Sequence, residues 1–489
     1  MNEYDILKNV AVTPARIANE LTHPILGKTY FSRNVHVLLR KYADDFLTSG
    51  AQPRLLGLAG LRGTGKTTLL WHLAQHIHNK HNAQIYFFNV NTINNLGLTL
   101  FQTLEYFQDN ILKQRFHSLD KPIVLLFDEI HDDPQWSKTL KILYDEAKWA
   151  FIMVTGSSAL LLQQSADLAR RMHIEKIYPF KFVEFLQVKT YFDPKYTISS
   201  KGLFPEKGVS ASLKEILFYS ENAQTAYQGL HGLSTRINSY YSKIQEYATL
   251  TKQSPQSLIQ EYVSYHNIPS FLTYQTKSAI LKDIIELFRR VVSEDIPKIS
   301  SQPDRYLSSE KLLLRLAASD EINPQTLSQA IGISQDEILE NINILSKAEL
   351  LNVLIPFGGV DSKINKAKKA FFMSPSLRRA LLSLIYGDVL TNDFKSKLFE
   401  DLVVMYLKRI LPDSILSFVS QQKGAVPDFV IETMDRPVLL ELGINKTKTG
   451  QIYKCGIDCR YGIVINTQID KVELKDKVIM LPLNWFLLL

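Results

Sequence analysis

The sequence predicts an α/β protein whose first domain is a parallel sheet with helices on both faces. Four short apolar runs have the length and composition of buried strands: RLLGLAG, QIYFFNVN, KPIVLLFDEI and AFIMVTGSS. Amphipathic helical stretches such as KTTLLWHLAQHIHNK and LGLTLFQTLEYFQDNIL separate the first three runs. Strands that alternate with helices at this spacing pair in parallel, with the helices covering the sheet.

The length and composition indicate a soluble chain of several domains. At about 150 residues per domain, 489 residues correspond to about three or four domains. The net charge of +7 permits contact with nucleic acid without requiring it. The two cysteines, Cys455 and Cys459, are expected to be free thiols. The acidic start of the chain and the lack of an 18-residue apolar run favour a cytoplasmic protein without membrane spans.

The segment GLRGTGKT lies between the first strand and the first long helix and has the pattern of a Walker A phosphate-binding loop. Its glycines allow the backbone N–H groups to turn inward around phosphates, and the following helix adds its positive N-terminal end. Lys66 is expected to contact the β- and γ-phosphates, and Thr67 to bind Mg²⁺. The residues predicted to bind ATP in this loop are Gly60, Arg62, Gly63, Thr64, Gly65, Lys66, Thr67 and Thr68.

A Walker B strand, IVLLFDE, follows about 60 residues later with one strand between. Asp128 is expected to hold the Mg²⁺ shell and Glu129 to polarise the attacking water. The next strand ends in VTGSS, where Thr155 and Ser157 either contact the γ-phosphate or cap the following helix. Arg170 and Arg171 either reach a neighbouring subunit's nucleotide or are a solvated pair.

The rest of the chain divides into three further regions. Residues 191–303, after an ATPase domain at 1–190, are expected to form a helical lid or connector. Residues 304–388 contain three short helices, a turn at Gly332-Ile333-Ser334 and two strands, LLNVLIPF and KKAFFMS. This order predicts a winged helix. Residues 389–489 form a final α/β region.

The predicted winged helix has its positive charge in the hairpin rather than in the recognition helix. That helix carries acids, Asp336, Glu337 and Glu340, which have the wrong sign for phosphates. We expect the hairpin at 358–369 to contact the DNA backbone, or to be a solvated loop on a module that packs against the ATPase domain. The basic residues in and beyond the hairpin are Lys363, Lys366, Lys368, Lys369, Arg378 and Arg379.

The final region has Glu400 on its opening helix, Asp428 at a strand start and Glu441 near the end of the next strand. It resembles the PD-(D/E)XK restriction-endonuclease-like fold, in which such carboxylates hold a divalent ion that activates water. Gly443 occupies the position of that motif's lysine, and Lys446 substitutes only if the strand end bends back. The alternative is a retained scaffold that binds a protein partner.

Four segments together resemble one family: GLRGTGKTTLL, FDEIHDDPQW, VTGSSA and LARR…YPFKFVEFL. The sequence is similar to the AAA-related, archaeal-type ATPases, in which GPRRVGKTTLL, DEIQ…W, TGSS and LAGR…PLSFEEFL are usual. The resemblance implies nucleotide roles for Lys66, Thr67, Asp128 and Glu129. It also implies that Arg171 matches the family's arginine finger, with Arg170 in place of the usual glycine. A finger that acts on another subunit requires neighbours, so a homo-oligomer is expected.

Three functions follow as hypotheses. The first is an ATP-hydrolysing, Mg²⁺-dependent switch or motor that acts on or near DNA. The second is a nuclease that is gated by ATP and uses Glu400, Asp428 and Glu441. The third is a nucleotide-dependent scaffold that binds a protein partner through an inactive nuclease fold.

Overall fold

The structure is a computed structural model of the 489-residue chain, and its contacts divide the chain into two compact units. One unit comprises Met1–Tyr178 with Lys347–Glu349, and the other comprises Pro179–Ser346 with Leu350–Leu489. The division between the units falls after Tyr178, whereas the sequence predicts a domain boundary at residues 190–191. The structure describes residues 9–156, 168, 170–197, 199–274, 276–299, 305–360, 363, 367–420, 426–443, 450, 452 and 455–489.

The first unit is built on a five-stranded sheet with the order β2-β3-β4-β1-β5. All four strand pairs are parallel, so the predicted parallel sheet is confirmed. The fifth strand, HIEK, is not among the strands expected from the sequence because it is short and polar. The strands are β1 (Leu55–Ala59), β2 (Gln84–Asn89), β3 (Ile123–Asp128), β4 (Ala150–Gly156) and β5 (His173–Lys176).

Helices cover both faces of this sheet. Alternate residues of the buried strands point to opposite faces, so Leu56 and Leu58 join one hydrophobic core and Leu55 and Ala59 join the other. The first core also contains residues of α1, α2 and α3, and the second contains residues of α4, α5 and α6. These helices are α1 (Pro14–Leu21), α2 (Val35–Ser49), α3 (Lys66–His81), α4 (Val90–Asn95), α5 (Leu100–Phe107) and α6 (Trp136–Glu146).

The second unit begins with a helical region, as the sequence predicts for residues 191–303. Its longest helix spans 28 residues and is capped at its start by Asn222, whose side chain accepts a hydrogen bond from the N–H of Thr225. The α-helices of this region are α7 (Phe182–Phe192), α8 (Val209–Tyr219), α9 (Ala223–Leu250), α10 (Pro255–Glu261), α11 (Lys277–Arg290) and α12 (Ile296–Ile299).

Three helices and a hairpin follow in the predicted order. The turn at Gly332 is confirmed: its φ of +85° ends one helix, and its N–H donates to Ser328 O at 2.8 Å. Ser334 and Glu337 exchange hydrogen bonds as a capping box at the start of the next helix, which explains an acid in its first turn. The elements are α13 (Arg305–Ala318), β6 (Glu321–Ile322), α14 (Pro324–Ile331), α15 (Gln335–Lys347), β7 (Leu351–Pro356) and β8 (Lys368–Phe372).

One mixed sheet of nine strands joins the hairpin to the C-terminal region, in the order β13-β14-β12-β11-β10-β9-β7-β8-β6. The link is a short parallel pairing in which Ile355 and Pro356 of β7 lie opposite Ser417 and Phe418 of β9. The sequence prediction places these strands in separate domains. The remaining elements are α16 (Pro375–Tyr386), α17 (Asn392–Ile410), β9 (Ile415–Phe418), β10 (Phe429–Glu432), β11 (Val438–Gly443), β12 (Tyr461–Asn466), β13 (Glu473–Lys475), β14 (Val478–Pro482) and α18 (Leu483–Phe486).

The expectation that Arg378 and Arg379 add to a basic surface beyond the hairpin is wrong. Both side chains lie on α16 and are almost completely buried. Arg378 forms a two-bond ion pair with the buried Asp401, and Arg379 pairs with Asp388. Arg378 therefore belongs to an internal ion pair, because a buried charge requires a partner, whereas the partner of Arg379 is an exposed carboxylate.

Both cysteines are free thiols, as expected, and Cys455 is buried against Ile452 O. Among the described residues, no helix has both the length and the apolar composition that crossing a membrane requires.

Candidate functional site: the phosphate-binding loop

The loop between β1 and α3 has the backbone conformation that the Walker A pattern predicts. Gly60, Gly63 and Gly65 have φ values of +158°, +80° and +87°, which favour glycine. At Gly60 a side chain is also excluded by space, because a Cβ atom would lie 2.2 Å from Ile177 O. The loop is therefore held tightly against the chain that follows β5, and α3 begins at Lys66 directly after it.

Lys66 is buried at the start of α3 and lies over the loop. Its Nζ donates to Gly60 O at 2.9 Å and to Leu61 O at 3.3 Å. An ammonium group held there by loop carbonyls is available to exchange these bonds for phosphate oxygens, which carry more negative charge. The predicted placement of Lys66 in the loop is thus observed.

Thr67 and Asp128 are in direct contact although 60 residues separate them. The Thr67 hydroxyl lies 2.9 and 3.0 Å from the two carboxylate oxygens of Asp128. Burial raises the pKa of Asp128, the charge of Glu129 adds to this shift, and the hydroxyls of Thr155 and Thr67 and the charge of Lys66 oppose it. A buried carboxylate beside a hydroxyl is the oxygen donor set that Mg²⁺ prefers, so these residues fit the predicted ion.

Glu129 turns the chain sharply at the end of β3. Its backbone has φ +53° and ψ +49°, a left-handed conformation that is uncommon for a residue other than glycine. Non-glycine residues in this region are concentrated at functional sites, where surrounding contacts hold them in place. Here the Glu129 N–H donates to the hydroxyl of Thr155 at 2.9 Å. The Glu129 side chain is 29% exposed and lies 3.4 Å from His131 Nδ1.

Thr155 connects the two acids of the Walker B segment. Its hydroxyl donates to Asp128 Oδ1 at 2.7 Å while it accepts from Glu129 N, and its side chain is fully buried. The sequence leaves open whether Thr155 contacts the γ-phosphate or caps a following helix, and in the structure its hydroxyl contacts the two acids. Ser157, the other candidate on this strand end, lies outside the described residues.

Arg33 is a component of the site that sequence reasoning missed. Its buried guanidinium donates to Thr64 O at 2.9 Å and to Tyr178 O at 2.9 Å. The Thr64 hydroxyl donates to Leu61 O at 2.8 Å, so its side chain stabilises the loop from inside. An isolated arginine before α2 gives no motif by which to find it. Arg62, Gly63 and Thr68 are half-buried in or beside the loop, as expected for residues near a ligand.

The two candidate arginines differ in their surroundings. Arg171 forms a two-bond ion pair with Asp145 on α6, at 3.1 and 3.2 Å, and Arg170 is exposed. The main chain of Arg171 is fixed by a hydrogen bond from its N–H to Leu168 O. Their role toward a neighbouring subunit stays a prediction.

In the second unit, Asp428 lies beside the strand that carries Glu441, and its charge acts on Glu400. Asp428 directly precedes β10, and Phe429 of that strand lies opposite Leu440 of β11. The Oδ2 atom of Asp428 accepts a hydrogen bond from the N–H of Leu442, the residue after Glu441. Burial raises the pKa of Glu400 on α17 to about 8, and the charges of Asp320 and Asp428 add to the shift. The charges of Lys397 and Lys369 oppose it. The joint role of the three acids stays a prediction. Asp320 and Lys397 were not singled out from the sequence, and Lys369 was predicted only as a residue of the basic hairpin.

The hairpin lysines divide between the strand and its tip. Lys369 lies on β8, with its Nζ 5.2 Å from the ring centre of Phe418, and its charge acts on Asp320 and Glu400. Lys363 and Lys368 are half-exposed. Lys366, like Lys446 of the C-terminal region, lies outside the described residues.

Comparison with known families gives a match in the first part of the chain. Residues 52–186 match a family model that is described as an AAA domain. This part of the chain is therefore similar to AAA domains. The match spans both Walker segments, so the matched residues include Lys66, Asp128 and Glu129. A second family model, a domain of unknown function (DUF8612), matches residues 256–386.

Comparisons with curated proteins and with solved structures give low similarities. An uncharacterized protein of Methanocaldococcus jannaschii, MJ1637, is 25% identical over 496 residues, which covers 100% of this chain and 94% of the relative. The Thermotoga maritima RuvB Holliday junction branch migration motor is 15% identical, with a TM-score of 0.27 over 65% of this chain and 88% of that one. The Aeropyrum pernix Orc1 protein in complex with DNA is 12% identical, with a TM-score of 0.30 over 78% and 97%. TM-scores this low support no inference beyond that from the AAA domain.

Proposed function

We propose that the chain is an ATP-hydrolysing, Mg²⁺-dependent switch or motor. One observation carries the proposal: Lys66, the Thr67–Asp128 contact and the Glu129–Thr155 contact meet at the carboxyl ends of β1, β3 and β4. Ligands of parallel α/β sheets bind at that edge. The match of this region to an AAA domain supports the same reading.

Each residue has a distinct part in the proposed reaction. Lys66 leaves the carbonyls of Gly60 and Leu61 and binds the β- and γ-phosphates, while the loop N–H groups hold the phosphate chain. Thr67 and Asp128 hold Mg²⁺, which supplies positive charge to the phosphate oxygens. Glu129 accepts a hydrogen bond from the attacking water and orients it in line with the bond that breaks.

The direct test is phosphate release by the untagged full-length chain with ATP, with and without Mg²⁺ and with and without duplex DNA. We expect Mg²⁺-dependent turnover. An increase on addition of DNA supports a motor that acts on DNA, with the hairpin at 358–369 as the contact. ATP binding without turnover under every condition contradicts the proposal and favours a nucleotide-dependent scaffold for a protein partner.

Thr155→Val is expected to lower kcat roughly 10- to 100-fold, because a hydrogen bond to a buried charged group is worth about 1.5–3 kcal/mol. Valine keeps the shape of threonine but cannot donate to Asp128 or accept from Glu129. Thr155→Ser retains the hydroxyl and is the matched control, with activity near that of the wild type. Equal rates in the valine and serine variants would show that the hydroxyl has no role in turnover.

The cellular setting in this proposal is the cytoplasm, and the active form is a homo-oligomer. In it Arg171 exchanges Asp145 for the γ-phosphate bound to a neighbouring subunit, as an arginine finger does. The exposed Arg170 is the alternative finger.

A second candidate function is Mg²⁺-dependent DNA cleavage in a C-terminal domain of the nuclease-like class. Two observations favour it: the charge of Asp428 acts on Glu400, and Asp428 accepts a hydrogen bond from the strand that carries Glu441. Such a carboxylate group can hold a divalent ion. Gly443 at the lysine position argues against cleavage. Lys369 and Lys397, whose charges act on Glu400, are the candidate cationic substitutes.

Asp428→Asn is expected to abolish any cleavage of supercoiled or linear DNA while ATP hydrolysis stays at the wild-type rate. The reason is that Asp428 lies in the second unit, whereas the phosphate loop lies in the first. Asp435→Asn, in the turn after β10, is the matched control. No cleavage by the wild type with either Mg²⁺ or Mn²⁺ would reject the nuclease and leave the scaffold reading of this region.

A further inference from the structure

A cluster of two histidines and an aspartate lies at the end of α3 opposite to the phosphate loop. Asp44 is on α2, and His76 and His81 are on α3. The Nε2 atoms of His76 and His81 lie 2.8 and 2.7 Å from the same oxygen, Asp44 Oδ1. Since α3 runs from Lys66 to His81, a rise of 1.5 Å per residue puts this cluster roughly 20 Å from the loop.

We propose that Asp44, His76 and His81 form a binding site for one Zn²⁺-like transition-metal ion, which is separate from the Mg²⁺–ATP site. One ligand atom from each residue lies within 4.8 Å of the other two. Two imidazole nitrogens and a carboxylate oxygen, completed by water, are a known tetrahedral ligand set for Zn²⁺. Imidazole does not suit Mg²⁺, which prefers oxygen, so the two sites differ in the metal that they select.

The two contacts with Asp44 need little adjustment to hold the ion. In a tetrahedral site with metal–ligand bonds of about 2.0–2.1 Å, neighbouring ligand atoms are about 3.3 Å apart. Each histidine nitrogen therefore moves away from Asp44 Oδ1 by roughly half an ångström. The side chains are 22%, 18% and 14% exposed for Asp44, His76 and His81, which leaves them room for a shift of this size.

The surroundings contain both favourable and opposing charges, because Asp45 and also Arg40 and Lys41 line the adjacent cavity. His81 is the last residue of α3, and the carbonyls of a helix C-terminus attract cations. Lys80 opposes binding, but its Nζ bonds the other carboxylate oxygen, Asp44 Oδ2, at 2.8 Å, and leaves Oδ1 to the histidines. A cavity of about 600 Å³, lined in part by Asp44 and His76, gives the ion and its water ligand a path from solvent.

The competing explanation is a purely electrostatic cluster in which protonated histidines bond to Asp44. Burial raises the pKa of Asp44, but hydrogen bonds from Lys80, His81 and His76 outweigh it and hold that pKa well below its usual range. Asp44 is thus ionised in either case, and only metal binding distinguishes the two explanations. A bound ion would join α2 to the helix whose first residue is Lys66.

The test uses the untagged full-length chain without nucleotide and in excess Mg²⁺, so that oxygen-only sites are occupied. Zn²⁺ is titrated by calorimetry, and Co²⁺ by its visible absorption, which reports tetrahedral coordination. We expect one equivalent to bind. Asp44→Asn, His76→Ala and His81→Ala each weaken binding at least about 10-fold, because even residues that only support metal ligands contribute 10- to 100-fold.

Two control variants make the result specific. His78→Ala removes a histidine of the same helix outside the cluster and leaves the affinity unchanged. Lys80→Ala binds at least as tightly as the wild type, since Lys80 is not a ligand. Thermal unfolding of each variant without metal checks that it is folded. Zn²⁺ raises the Tm of the wild type, of His78→Ala and of Lys80→Ala, but not of the three variants that lack a ligand. Absence of binding by the wild type, or equal affinity in His81→Ala and His78→Ala, would overturn the proposal.

Discussion

Glu129→Gln is expected to lower kcat for ATP hydrolysis roughly 10²- to 10⁴-fold while ATP still binds, because positioned acid–base groups contribute about that factor. Glutamine has the size of glutamate and retains the backbone N–H that donates to Thr155, so the left-handed turn at residue 129 survives. What disappears is the negative charge that orients water. Phosphate release gives kcat, and calorimetry with ATP gives the dissociation constant.

Two further variants separate hydrolysis from binding. Lys66→Ala is expected to lose both, since the ammonium contributes to phosphate binding before and during the reaction. Glu146→Gln, which removes an exposed acid at the end of α6, is the control and should behave as the wild type. Turnover by Glu129→Gln at the wild-type rate would mean that another group orients the water, and His131, 3.4 Å from Glu129, would be examined next.

Arg378→Met is expected to destabilise the second unit by about 3–5 kcal/mol, the usual cost of removing one partner of a buried ion pair. The Arg378 Nε and Nη2 atoms donate to the two oxygens of Asp401 at 2.6 and 2.8 Å. Its Nη1 donates to Leu316 O and Ala317 O at 3.2 and 3.1 Å. The substitution leaves a buried carboxylate and two carbonyls without this donor.

The loss of stability caused by Arg378→Met should be smaller at low pH than at high pH. Burial raises the pKa of Asp401 to about 6 even with the opposing charge of Arg378 in place. A carboxyl group whose pKa is raised in the folded state loses its stabilising contribution as pH rises through that value. In Arg378→Met the pKa of Asp401 rises further, so the deficit is smaller at pH 5, where Asp401 is neutral, than at pH 8.

Hydrogen exchange in increasing urea, read on peptides from α17, gives the unfolding free energy of this unit alone. Arg289→Met is the control: its guanidinium is 49% exposed and pairs with Glu286 at the surface, so the change should stay within about 1 kcal/mol. Arg378→Met combined with Asp401→Leu should recover part of the loss. A single variant as stable as the control would show that the buried pair contributes little.

The phosphate loop was predictable from sequence because its function depends on residues that are close together in the chain. GLRGTGKT specifies its own turn, and the acids of IVLLFDE are found at the end of a buried strand by their position alone. The role of Thr155 was not decidable, since a hydroxyl after a strand is equally suited to capping a helix. Only the lateral order of β4 beside β3 brings it to Asp128.

The predictions that rested on charged residues were the least reliable. Arg378 and Arg379 look like part of a basic surface in the sequence, yet both are buried. Their partners are Asp401 and Asp388, and the spacing of these residues does not reveal the pairing. Arg33 was missed because its acceptors are the main-chain carbonyls of Thr64 and Tyr178, and every residue type has such a carbonyl.

The nine-stranded sheet determines how the polypeptide can be divided into expression fragments. A cut after residue 388 would separate β7 from β9, and the N–H of Phe357 would lose its acceptor at Phe418 O. An open strand edge of this kind invites pairing with other chains. The same cut would divide Arg378 from Asp401. Fragments that are meant to isolate the hairpin should therefore retain the chain through its last strand.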